Sequence, residues 1–114
     1  MRNDLSLKPL TMDDLDELVR LHAVYLNYGD GIQRHFEQVL GDPLTVAVQC
    51  VQGDRMIGVD IYTRGVALSG GHPELCRAIR ELTGDAAVYT GDALLVEPAY
   101  RKLGVDAAML DECL

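Results

Sequence analysis

The chain reads as a mixed α/β (α+β) domain with a central, mostly antiparallel sheet flanked by helices. Three observations predict it. A valine-rich run at 44–51 and a returning strand-like run at 56–62 are separated only by the turn Gln52-Gly53-Asp54-Arg55, a spacing that pairs the two strands as a hairpin. Stretches with apolar residues three and four apart precede the hairpin and follow the last strand-like run. Glycine, aspartate and proline mark nearly every junction between these segments, so periodicity changes where the backbone is free to turn.

Leu5, Leu7 and Leu10 predict a short first strand ending near Pro9. Thr11 suits an N-cap, and Asp13 and Asp14 put carboxylates where the helix dipole favours them. Leu15, Leu18, Val19, His22 and Leu26 then predict an amphipathic helix over 12–26, with His22 on its apolar face as a core or rim histidine. Gly29 and Gly31 end it in a loop. Ile32, Phe36, Val39 and Leu40 predict a second helix over 32–40 that stops at Gly41-Asp42-Pro43. In the hairpin, Gly58 predicts a bulge or a close backbone approach. Residues 63–71 carry three glycines and no clear preference. Pro73 fits a helix N1 position, and Leu75, Ile79 and Leu82 predict a helix over 73–83 closed by Gly84-Asp85. A strand over 86–96, interrupted by Gly91-Asp92, and a helix over 104–113 complete the order β-α-α-β-β-α-β-α in one domain, residues 1–114.

Composition narrows the function. The chain is 48% hydrophobic and 25% charged, the balance of a soluble globular domain. A net charge of −8 and a pI near 4.6 exclude nucleic acid and anionic membrane as natural partners, since both need a positive surface. No apolar run approaches the roughly 18 residues of a membrane span and no leader is legible, so a cytoplasmic location is expected. Cys50, Cys76 and Cys113 are too scattered for a disulfide framework or a zinc pattern, and Cys50 reads as a core thiol. His35 and His72 stand apart from any metal-ligand spacing, so no metal is expected.

The chemistry gathers at Val96-Glu97-Pro98-Ala99-Tyr100-Arg101-Lys102-Leu103-Gly104-Val105-Asp106, where an apolar strand hands over to a helix. Such a junction aims several backbone N–H groups at one point, and the helix start adds partial positive charge. Gly104 permits close approach, and Arg101 and Lys102 neutralise an anion. The segment is a candidate phosphate-binding turn.

The same segment resembles the GNAT superfamily of N-acetyltransferases, in which a strand ending in valine runs into x-Pro-x-Tyr-Arg and then a glycine turn opening a helix. The preceding elements follow that family's order, including Ile57-Gly58-Val59 in the hairpin, so the resemblance extends over nearly the whole chain. It implies a GNAT-like acyl-CoA N-acyltransferase fold and acetyl-CoA as co-substrate. Backbone amides of Lys102, Leu103, Gly104, Val105 and Asp106, with Arg101, would hold the CoA diphosphate. The main chain of Leu94, Leu95 and Val96 would meet the pantetheine arm. It further implies a general base near Asp92, with Asp60 as a rival, and an acceptor amine near Tyr25, Tyr28 and Asp30. Two departures stand out. Asp106 occupies a position where the family prefers glycine or alanine, and two unit charges at about 5 Å cost roughly 3 kcal/mol at an effective dielectric of 20. The family's further strands and helix have no counterpart within these 114 residues, so a truncated domain, or an N-terminal piece of a longer protein, is expected. The edge strand left by that truncation makes a homodimer a second expectation. Two functions follow: acetyl transfer to an amine of a small molecule or protein, or a non-catalytic GNAT-like module acting through dimerisation or a partner.

Overall fold

The computed structural model describes residues 3–25, 31–64 and 89–114. The expected helix over 73–83, Cys76, His72, Tyr28 and Asp30 lie outside them.

Strand β1 (Leu5–Pro9) leads through a 3-10 turn (Met12–Asp14) into α1 (Leu15–Tyr25). The predicted single helix thus begins as a tighter turn. Asp14 reaches back to accept the backbone N–H of Thr11 at 3.0 Å, fixing the entry to the helix. Helix α2 (Ile32–Gly41) turns Phe36 and Val39 inward. Strands β2 (Val46–Gln52) and β3 (Arg55–Arg64) form the hairpin, β4 (Tyr89–Val96) follows, and α3 (Val105–Cys113) closes the described chain.

The four strands lie in the order β1-β2-β3-β4, every pairing antiparallel, with β1 and β4 outermost among the described residues. On one face α1 and α2 bury Leu18, Leu21, Phe36 and Val39 against Met56, Val59, Ile61 and Leu95. On the other, α3 lays Val105 and Met109 against Val48, Cys50 and Ile57, with Tyr100 beside them. Cys50 is a core thiol as expected, and burial pushes its pKa up. The sheet is therefore sandwiched between helices, as the apolar stripes predicted.

Two register shifts shape the sheet. Cys50 pairs with Gly58 but Val51 with Met56, which leaves Ile57 as an extra residue in β3. That bulge sends Met56 and Val59, three residues apart, to the same face. Gly58 beside it is a close approach: a β-carbon there would lie 3.3 Å from the Leu95 carbonyl oxygen. In β4, Ile61 pairs with Ala93 but Tyr62 with Gly91, so Asp92 is the extra residue. The interruption predicted at Gly91-Asp92 is this bulge.

Candidate functional site

Two clefts open along β4. The first lies where β4 ends. Glu97 donates its backbone N–H to the Ile57 carbonyl at 2.8 Å, a 3-10 turn (Pro98–Tyr100) follows, and α3 begins at Val105. Between them Lys102 (φ 66°) and Gly104 (φ 80°) both adopt the left-handed region, so the chain reverses within a few residues. Nothing lies within 4 Å of where a Gly104 β-carbon would sit, so the turn faces open space. The Arg101 guanidinium donates from Nε to the Val96 carbonyl at 3.1 Å, which pins it across the turn. The backbone N–H groups of the first turn of α3 have no intrahelical acceptor and carry the positive end of its dipole.

Leu94, Leu95, Val96, Tyr100, Arg101, Lys102, Val105 and Asp106 line a cleft of about 390 Å³ at this junction. Leu103 is half-buried against the core beneath it, and Gly104 caps α3. The fold thus assembles every residue of the candidate phosphate turn in one place. Asp106 is exposed in the first turn of α3, where the helix dipole accommodates a carboxylate.

The turn is braced from behind. Glu97, about 2% exposed, accepts from Arg55 at 2.7 Å and lies 4.0 Å from Arg20, whose pKa is raised, mainly by its hydrogen bond to Glu17. Tyr100 donates its hydroxyl to Gln52. These contacts anchor the Glu-Pro-x-Tyr segment to the hairpin, a role that spacing alone did not reveal.

The second cleft, about 290 Å³, lies between α1, α2 and β4 and is lined by His22, Gly31, Ile32, His35, Phe36, Asp92 and Ala93. Asp92 and Ala93 are consecutive yet both face it, because the bulge re-aims Asp92 to the side of its neighbour. His35 does not stand apart: its Nε2 lies 3.0 Å from both carboxylate oxygens of Asp92, across 57 residues of sequence. His22 is buried, with Nδ1 at 2.9 Å from the Leu18 carbonyl. Burial pushes its pKa below the ordinary 6.5, so it is neutral at pH 7. Tyr25 packs half-buried against the core at the end of α1 and does not line this cleft. Asp60 faces away, on the α3 side with Tyr62 and Cys113; burial pushes its carboxyl up from 3.8, against a smaller opposing effect of the Tyr62 hydrogen bond. Among the described residues no three His, Cys, Asp or Glu side chains form a metal-ligand group, and no helix is long and apolar enough to cross a membrane.

No protein-family model matches the sequence, and no curated protein shows a significant match to it. Solved structures do resemble it. Arabidopsis thaliana NAA60 in complex with acetyl-CoA superposes with a TM-score of 0.69 at 20% identity, covering 95% of this chain and 64% of that one. The aminoglycoside acetyltransferase AAC(6')-Iy, bound to the bisubstrate analogue CoA-S-monomethyl-acetylneamine, gives 0.69 at 13% identity, over 96% and 68% of the two chains. An aminoglycoside acetyltransferase from an uncultured soil metagenomic sample, in complex with trehalose, gives 0.66 at 13%, over 96% and 67%. The chain therefore spans about two thirds of the length of these enzymes and has the fold of the GNAT acetyltransferases.

Proposed function

We propose that the chain is the acetyl-CoA-binding part of a GNAT-type N-acetyltransferase that transfers acetyl to an amine of a small molecule or protein. The observation that carries this reading is the cleft at the end of β4, in which a strand edge, two cations and a helix start converge on one opening. The first-turn N–H groups of α3 with Arg101 and Lys102 suit a diphosphate, and the open space at Gly104 lets it reach the backbone. The outer edge of β4 at Leu94, Leu95 and Val96 offers main-chain groups to an amide-bearing arm. Such an arm, running along β4, carries its thioester toward the second cleft; Leu95 and Asp92 are about 10 Å apart along a strand. Catalysis then needs positioning of amine and thioester, an N–H to polarise the thioester oxygen and a group to receive a proton. Asp92 supplies a carboxylate in that path. The acetyl-CoA complex of the similar NAA60 supports the same ligand class.

Calorimetric titration with acetyl-CoA and desulfo-CoA tests the reading. Micromolar binding is expected, weakened about tenfold or more in Arg101→Ala and strengthened in Asp106→Gly. No heat at millimolar ligand would sink it.

One observation favours a second reading. Strand β4 has a neighbour on one side only among the described residues, and Leu94 on it is 59% exposed. A GNAT-like module that pairs through this edge, as a homodimer or with a partner, would cover it. Sedimentation over a hundredfold range of concentration separates the readings, since a monomer throughout excludes self-pairing.

A further inference from the structure

The cleft between α1, α2 and β4 joins a histidine and an aspartate in the relation of a base and its orienting group. We propose that His35 is the proton acceptor of the transfer reaction and that Asp92 is its positioning residue, an inference that rests on the acetyltransferase reading above. Asp92 is the sheltered partner, its side chain 7% exposed, whereas that of His35 is 41% exposed. An ionised carboxylate only accepts hydrogen bonds, so the contact of both its oxygens with Nε2 puts the proton of the neutral imidazole on Nε2. Nδ1 is left with its lone pair, on the more exposed member of the pair. Phe36 stacks obliquely on the ring, centroids 5.4 Å apart, and limits its rotation.

The surroundings fit this task. Ile32, Phe36 and Ala93 give the cleft an apolar wall, and the neutral His22 adds no charge. Among the described residues, the titratable groups that line this cleft with His35 are His22 on α1 and Asp92 on β4. A volume of about 290 Å³ admits the amine end of an acceptor, not a large ligand. The bulge at Asp92 brings this carboxylate to the same face as Ala93, one residue from the cleft that takes the thioester arm.

The step balances with acetyl-CoA and a protonated amine. His35 Nδ1 takes one proton from R–NH3+ and releases it to water. The freed amine nitrogen attacks the thioester carbon, forming the C–N bond. The C–S bond breaks, its electron pair leaves on sulfur, and sulfur gains the second proton lost by nitrogen. The products are R–NH–CO–CH3, CoA thiol and one H+.

Four measurements decide it. Long-range 1H–15N correlation spectra of histidine-labelled protein should show neutral His35 as the Nε2–H tautomer; an Nδ1–H tautomer overturns the proposal whatever the activity. Thiol release from acetyl-CoA is then followed with benzylamine, spermidine, kanamycin and glycylglycine as acceptor probes. His35→Gln should lower kcat/KM on the order of 100-fold, leave acetyl-CoA binding within twofold, and remove the ascending limb of the pH profile. Asp92→Asn, which keeps an acceptor for Nε2–H, should retain more activity than Asp92→Ala. A pair that merely ties α2 to β4 would instead lower the melting temperature in the His35→Gln and Asp92→Ala variants without altering the pH profile, and that result overturns the proposal. So does an absence of thiol release from all four amines in protein that binds acetyl-CoA. Failure to bind acetyl-CoA refutes the underlying reading, and with it this one, by a calorimetric result independent of His35.

Discussion

Asp60 and Glu97 are each about 2% exposed, yet the chain treats them differently. Glu97 meets two arginines, so its charge is compensated where it lies. Asp60 has the Tyr62 hydroxyl for company, and burial raises its pKa above the ordinary 3.8. A raised carboxyl holds its proton more tightly in the folded than in the unfolded chain. Stability from this group is therefore greatest below pH 3.8, falls as pH rises toward the folded pKa, and stays reduced above it. Asp60→Asn removes that penalty. It should raise the melting temperature at pH 7, by an amount that shrinks as the pH is lowered toward 4. Thermal unfolding at several pH values checks this, and an equal shift at every pH would show that ionisation is not the cause.

Among the elements, the β3–β4 pairing carries most of the demands of the fold. Gly58 sits where a side chain would meet the Leu95 carbonyl, an atom of the neighbouring backbone that cannot simply rotate away. Gly58→Ala should therefore destabilise by about 1–3 kcal/mol, measured as a lower urea midpoint; an unchanged midpoint would mean the strands separate at little cost. The chain announces this position because its signal is local, a glycine inside a strand pattern. The Gly91-Asp92 bulge and the strand-to-helix turn at 96–106 are legible for the same reason. The bracing of Glu97 and the pairing of His35 with Asp92 are not. Those partners lie 42 and 57 residues apart, and an amphipathic pattern does not say which strand a helix will meet. His35 in particular sits beside the apolar stripe of α2, where sequence leaves solvent or cleft equally open. Tyr25, an aromatic at a helix end, packs half-buried against the core.

At the scale of the molecule, a three-layer arrangement is held together against its own charge. Ten cationic side chains face eighteen carboxylates, and the net of −8 repels itself in the folded state. Raising NaCl from about 10 to 200 mM should therefore increase the melting temperature by roughly 2–4 °C as the Debye length falls. Calorimetry at fixed pH is the check, and a falling melting temperature would mean that the ion pairs around Glu97 outweigh the general repulsion. The same acidity makes the exposed Arg101 and Lys102 a local exception, one that draws an anion only at short range.

The extra residue in β4 also acts as a phase shifter. Every position after it points the opposite way from what simple alternation, counted from Gly91, would give. Were the same residues paired as a regular ladder, with Asp92 opposite Ile61, Ala93 and Leu95 would pass to the α3 side and Leu94 and Val96 would turn inward. Both clefts would lose their walls at one stroke, although no wall residue had been altered. Deleting Asp92 instead leaves Ala93 opposite Ile61 and takes from the second cleft only the carboxylate that the bulge puts there.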